Sequence, residues 1–321
     1  MRFFPVVIFI ILFSAGCRKD LLRPASVVRM DTHTTSDRWN EILFINDSTG
    51  FIVGGERFFN AAVLKTTDGG VTWTYRGFPD ARRGIYGITK TASNNLFTIG
   101  YGGNWMRSDD AGVNWQARDV RWNEYKDLAY STEDFGTAVG GISFIAGYIL
   151  QLDGKGNVLR WDSLAYELND IDMLNPREGY ICGYGVVYKT LDSMKSWQML
   201  HVKNDNFTAV RSYEEGEVWV CGYNGSIFHS SNAGATWQKM RNGNDITIAR
   251  YHLLDIAFAD PQHGYAIGEN GLLIYTNDGG NHWMEYERFT DVHLRSLCLR
   301  PGGDIFVAGD AGALFHVTPR P

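Results

Sequence analysis

From Val27 onward the chain alternates short apolar runs with clusters of turn-forming polar residues, and no stretch of twelve residues sustains a helical period. Seven of the runs end in glycine: FIVGG at 51–55, FTIGYGG at 97–103, TAVGG at 137–141, YICGYG at 180–185, VWVCGYNG at 218–225, YAIGENG at 265–271 and FVAGDAG at 306–312. With the repeat marked by the glycines at 54, 100, 140, 183, 222, 268 and 309, the steps are 46, 40, 43, 39, 46 and 41 residues. A step of that length is one propeller blade. The pattern predicts an all-β chain folded as a seven-bladed β-propeller of four-stranded antiparallel blades.

An octamer of the form [Ser/Thr]-x-[Asp/Asn]-x-Gly-x-x-Trp follows several of these runs. It reads TTDGGVTW at 66–73, SDDAGVNW at 108–115, TLDSMKSW at 190–197, SSNAGATW at 230–237 and TNDGGNHW at 276–283. Its Asp or Asn can accept hydrogen bonds from backbone N–H groups a few residues on, its Gly supplies a positive φ, and its Trp anchors the next strand. The octamer therefore predicts a hairpin turn between the third and fourth strands of a blade. The structural pairs would be Asp68 with Trp73, Asp110 with Trp115, Asp192 with Trp197, Asn232 with Trp237 and Asp278 with Trp283. Blade three carries QLDGKGNVLRW at 151–161 instead, blade four keeps Asp192 but puts Met194 where Gly is expected, and blade five has Asn232 for Asp, so turns that are looser or of another type are expected there. The spaced oxygen ligands and terminal Glu of a calcium loop are missing, and no metal or cofactor is expected.

Blade six shows the strands most clearly, at 253–259, 264–268, 272–276 and 282–287. The last blade has three strands and then the chain stops, so the segment at 25–31 is expected to close the ring as its fourth. The propeller would span 25–321.

Ahead of it, MRFFPVVIFIILFSAGC has one Arg, an apolar run too short to span a bilayer, and small residues before Cys17. Residues 1–16 read as a signal peptide. Ser-Ala-Gly-Cys resembles the lipobox of bacterial lipoproteins, with Ser14 where Leu is usual, which makes Cys17 the lipidated residue and 17–24 a short tether. Localisation is then exported and membrane-anchored, on the periplasmic side or at the outer membrane. The net charge of −6 gives no electrostatic footprint for nucleic acid. Cys182 and Cys221 occupy equivalent strand positions and read as small buried residues, with a disulfide between them as the alternative.

Strand parity puts the octamer turns at one end of the ring, here the bottom. The crossovers between blades and the turns between second and third strands lie at the other, the top, where function is sought. Candidate partner-binding residues there are Trp39, Arg82, Arg83, Tyr101, Trp122, Tyr125, Tyr184, Tyr223, Arg250 and Arg295, a composition suited to protein hot spots.

The octamers are Asp-box, or bacterial neuraminidase (BNR), repeats. Their pairing with the glycine-ended runs in one seven-bladed ring resembles the photosystem II stability and assembly factor family, over about 27–317. That resemblance implies a protein-binding scaffold with an Arg-rich patch and no enzymatic activity; a glycan is the second candidate partner. Sialidases and xyloglucanases also carry the repeat. The first use a six-bladed ring and an F/Y-R-I-P motif that is lacking here, and the second a cleft between two propellers. A glycosidase would need two facing carboxylates on the top, for which Glu269 and Asp310 are available.

Overall fold

The computed structural model describes residues 21–245 and 250–320; Cys17 and the segment read as a signal peptide lie outside them. Seven four-stranded antiparallel sheets follow one another round a ring. Counting strands A to D outward from the axis, the A strands are Arg38–Phe44, Ile85–Lys90, Tyr125–Thr132, Leu168–Met173, Phe207–Glu214, Leu253–Phe258 and Leu294–Leu299. Helical structure among the described residues is one 3-10 turn, Glu269–Gly271. Ser26–Arg29 pairs with Leu314–Thr318 as the outer strand of blade seven, so the ring closes as the sequence implies. Blade six matches its expected strands except the last, which shortens to Met284–Glu285. Leu22 is tied down as well: its N–H donates to the Glu285 carbonyl at 2.9 Å and its carbonyl accepts from the Glu287 N–H at 2.7 Å.

The hydrophobic core is itself a ring of clusters, each straddling two neighbouring blades. Trp39, Ile52, Leu64 and Trp73 of blade one, for example, pack on Phe306, Ala308 and Leu314 of blade seven. Strand B is therefore covered on both faces, which explains its unbroken apolar run: Gly264–Gly268 and Ile305–Gly309 are buried throughout. Its terminal glycine has a steric origin. At Gly54 a Cβ would collide with the Arg38 carbonyl at the start of strand A.

The Asp boxes are bottom turns with one hydrogen-bond scheme. In the first, Thr66 Oγ1 donates to Asp68 Oδ1 at 2.7 Å and accepts from Gly70 N–H at 2.9 Å, while Asp68 accepts from the Thr72 backbone and hydroxyl. Accepting that many donors holds the Asp68 carboxyl down at about 2, with the Thr72 hydroxyl as the largest cause. Blades four and five keep the scheme around Asp192 and Asn232, so the expectation of looser turns there is corrected. Even blade three retains its core: Asp153 accepts from the Asn157 N–H and side chain.

Met194 has a reason for replacing glycine. Gly70, its counterpart in blade one, lies against the Phe306 ring of the preceding blade, where a methyl has no room. Phe306 is paired across strands with His316; in blade three the equivalent pair is Thr137 with Gln151. The smaller pair leaves space, and Met194 fills it, fully buried, with its carbonyl accepting from Gln151 Nε2 at 2.7 Å. The gain outweighs the strain of a non-glycine residue at φ 68°. Met194→Gly should cost about 2 kcal/mol by chemical denaturation. Thr137→Phe alone should also destabilise, whereas the double variant should recover at least about 1 kcal/mol of the summed loss. Strict additivity would rule the coupling out.

Candidate functional site

Each A strand carries a β-bulge near its start, between Trp39 and Glu41 in blade one and at the matching place in the other six. The aligned tetrapeptides are WNEI at 39–42, IYGI at 85–88, YKDL at 125–128, LNDI at 168–171, FTAV at 207–210, LLDI at 253–256 and LRSL at 294–297. The first residue of each is fully buried. The second is the bulged residue, and all seven of these line the top mouth of the central channel. The third faces the channel one step below.

Two layers of hydrogen bonds follow, each linking a blade to the next. At the bulge layer, Asn40 donates to the Ile85 carbonyl, Asn169 to that of Phe207 and Thr208 to that of Leu253, each at 2.7 Å. In the layer below, Glu41 accepts from Ile88 N–H, Asp127 from Ile171, Asp170 from Val210, Asp255 from Leu297, and Ser296 Oγ from Ile42. Gly87 and Ala209 have no side chain to offer. There the next aspartate turns its other oxygen to its neighbour's amide, Asp127 to Leu128 and Asp255 to Ile256. Beside Ala209 the guanidinium of Arg211 bridges the two neighbouring blades, bonding Asp170 at 2.5 Å and Asp255 at 2.7 Å. The layer of Glu41, Asp127, Arg211, Asp255 and Ser296 borders both a top mouth of about 340 Å³ and a bottom one of about 690 Å³. The remaining acids are not neutralised. Burial, then Asp170 and Asp255 against the Ile88 amide and Arg211, pushes Glu41 up to about 8, and burial with Glu41 and Asp170 raises Asp127 well above its usual range.

At the rim of the top mouth, above Glu41 and Asp127, the charges are paired with one imbalance. Lys126 bonds Glu167 and Arg57 bonds Glu124 at 2.9 Å, but Arg38 and Arg295 share the single carboxylate of Asp310. Burial works to raise Asp310, yet the Arg295 bonds together with Arg38 and His293 hold it below its ordinary value. Arg38 is lowered by burial and then by Arg295. Tyr86, the bulged residue of blade two, feels the charges of Arg57, Arg38, Arg295 and Glu124. Three guanidiniums against two carboxylates leave one positive charge in excess at this corner, a place for one anionic group.

The candidate residues separate by depth. Trp39 and Tyr125 are corrected: both are 0% exposed, because each opens its A strand with its ring in an inter-blade cluster, so neither can touch a partner. Arg295 is a bulged mouth residue. Tyr101, Trp122, Tyr184 and Tyr223 stand on the top surface, Trp122 63% exposed with the Arg83 guanidinium 4.8 Å from its ring centre. Arg83 also bonds Asp119, and Tyr223 stacks on His252. Arg82 and Arg250 are exposed and lie outside the set of mouth-lining residues. The candidates chosen from the sequence omit Arg38, Arg57, Tyr86 and Lys126; the tetrapeptide frame marks Tyr86 and Lys126, Arg38 directly precedes that frame, and Arg57 lies in the turn between strands B and C. The candidates also omit the exposed pairs Phe58–Phe59 and Phe144–Ile145, visible as apolar dipeptides inside turns. Cys182 and Cys221 are buried free thiols. Among the described residues, no helix is long and apolar enough to cross a membrane.

Comparison with known proteins bears on this geometry. The model of the family described as photosynthesis system II assembly factor YCF48 matches residues 242–320, the last two blades. A photosystem II assembly lipoprotein Ycf48 from Synechococcus is 35% identical over 69 residues, 20% of each chain; one from Nostoc is 23% identical over 66% of this chain and 51% of its own. The chain thus spans at most about half the length of these relatives. Among solved structures, YCF48 bound to a D1 peptide superposes with a TM-score of 0.68 at 16% identity, covering 95% of this chain and all of the other. YCF48 from Cyanidioschyzon merolae gives 0.69 at 18% identity over 91% and 99%. The RRP9 WD40 propeller reaches 0.70 at 9% identity over 94% of this chain and all of its own, so the superpositions speak for the fold alone. The repeat sequence and the family match distinguish among propellers: the chain is similar to photosystem II assembly factors described as YCF48, most directly over its last two blades.

Proposed function

We propose that the chain is a non-catalytic lipoprotein of the cell envelope whose propeller holds a segment of a protein partner at its top mouth, as an assembly or stability scaffold. The observation that carries this reading is the corner formed by Arg38, Arg57 and Arg295 around Tyr86, preorganised by Asp310 and Glu124 and one anion short. A carboxylate on an extended protein segment fits that shortfall, and the similar YCF48 structure holds a D1 peptide.

The chemistry of the mouth supports binding over hydrolysis. Burial raises the Tyr86 phenol, the opposite of what a phenolate nucleophile needs. The rim carboxylates are engaged by cations, Glu124 by Arg57, Glu167 by Lys126, Asp310 by two arginines and Glu269 by His252 at 2.6 Å, while Glu41 and Asp127 below them accept from the backbone amides that latch the blades together. Cys17 supplies the anchor in this reading, as the Ycf48 lipoprotein names of the relatives suggest. Leu22 is already fastened to blade six, and four residues of sequence, 18–21, separate it from Cys17.

The test is affinity capture from detergent-solubilised envelope, comparing the wild type with the Arg38→Ala/Arg295→Ala variant after both pass a melting check. A protein retained by the wild type and lost about tenfold in the variant is the expected result. Equal retention would remove the mouth as the site. Cys17→Ser should shift the protein from the membrane to the soluble fraction; an unchanged distribution would dismiss the lipid anchor.

A further inference from the structure

We infer that the partner segment is read as a carboxylate flanked on both sides by apolar residues, because two apolar clamps of one design stand on the rim of the charged mouth. The inference rests on the top-mouth reading above and specifies what that mouth selects.

The first clamp is the turn between strands B and C of blade one, where Phe58 and Phe59 are 59% and 70% exposed. The second is the corresponding turn of blade three, where Phe144 and Ile145 are 70% and 68% exposed. Four large apolar side chains in two nearby turns are costly to leave in water. Each turn begins at the mouth itself, since Arg57 and Ser143, the residues just before the two phenylalanines, line it.

Both phenylalanines are propped in the same way on a tyrosine of the next blade. Phe58 meets Tyr101 edge-on at 5.1 Å and 87°, and Phe144 meets Tyr184 edge-on at 5.1 Å and 84°. The tyrosines are themselves pinned, Tyr101 N–H to the Gly84 carbonyl and Tyr184 N–H to that of Glu167. Arg57 lies 4.5 Å from the Tyr101 ring centre and Trp122 stands edge-on to Tyr101 at 6.0 Å. Phe144 holds φ at 61°, a conformation that costs a bulky residue energy and here keeps its ring outward. A preorganised aromatic edge loses little entropy on meeting an apolar side chain.

Charge complementarity selects the occupant. The corner of three guanidiniums and two carboxylates lies at the mouth that both clamps border, and it lacks one negative charge. A bilayer offers phosphates as well as acyl chains, but the similar YCF48 structure holds a D1 peptide, which favours a peptide as the occupant. An extended peptide satisfies mouth and clamps together, with an acidic group over the arginines and an apolar side chain in each clamp.

The experiment is fluorescence anisotropy with a labelled Gly/Ser peptide bearing a central Asp and a Leu-Phe pair on each side. Companion peptides carry Asn for Asp, or Ser for one or both Leu-Phe pairs. They are titrated against the wild type and two variants changed only at exposed residues, Phe58→Ser/Phe59→Ser and Phe144→Ser/Ile145→Ser. Each clamp variant should weaken the full peptide about tenfold. Each should also be silent toward one of the two half-apolar peptides, the one that no longer fills that clamp. Asn for Asp should weaken every complex. If the peptide with Asp alone binds as tightly as the full one and the clamp variants change nothing, the inference falls while the mouth reading stands. If the Asn peptide binds unchanged, the link between clamps and mouth is wrong. Clamp-dependent sedimentation with phosphatidylglycerol vesicles, with none of the peptides bound, would overturn the inference in favour of a membrane surface.

Discussion

Replacing Arg211 by Met is expected to destabilise the folded protein by about 3 kcal/mol at pH 7.5, measured by urea denaturation. The guanidinium is the one cation between Asp170 and Asp255, and Asp172 also feels its charge. A methionine keeps the stem and removes the charge, leaving three acids that face one another with only amide and hydroxyl donors. Those donors remain, from Val210 to Asp170, Leu297 to Asp255 and Ser212 to Asp172, so the ring is strained electrostatically without losing its latches. Burial already raises Asp255 and Asp172, and Arg211 pulls both back. Without it their folded values climb further above the unfolded ones. The loss should therefore be largest above pH 7 and narrow toward pH 4, as Asp172 and Asp255 gain protons in the folded wild type and the folded variant alike. Equal stability at both pH values would dismiss Arg211 as the clasp of the channel.

Glu41 gives the opposite sign. Its carboxyl sits at about 8 in the folded protein, against 4.5 in an unfolded chain. Across that interval the folded state holds a proton that the unfolded state has given up, so its contribution is fully present below about pH 4.5 and is lost as pH rises toward 8. Glu41→Gln fixes the neutral form and keeps a carbonyl oxygen for the Ile88 amide. The variant should match the wild type at pH 5 and exceed it by about 2 kcal/mol at pH 8.5. Asp127, raised beside Glu41, leaves a residual slope in the variant. Parallel melting curves from pH 5 to 9 would contradict the assignment.

The architecture was legible because its signals are local. A glycine that clears the Arg38 carbonyl, or an aspartate that ties its own turn, repeats wherever the blade repeats. The mouth was less legible because the bulge makes position, and not residue type, the repeated quantity. Asn40, Tyr86, Lys126, Asn169, Thr208, Leu254 and Arg295 share no chemistry; they share a place between a buried apolar residue and a channel residue. Trp39 and Tyr125 were misplaced by one step of that frame, which turned core rings into apparent surface ones. Nor could spacing show that Arg38 and Arg295, 257 positions apart in sequence, would share Asp310.

The closing strand sets a timetable. Ser26–Arg29 is among the first folded segments to be made, yet its partner Leu314–Thr318 is among the last. At roughly 5 to 20 residues per second, nearly 290 residues take about 15 to 60 seconds to synthesise. Throughout that interval blade one lacks the blade-seven surface on which Trp39 and Trp73 pack, and the early strand lacks its sheet. Until the two strands meet, the ring has two unsealed ends, and Leu314–Thr318, more than any other stretch of comparable length, decides whether it closes on itself or finds the ends of another copy.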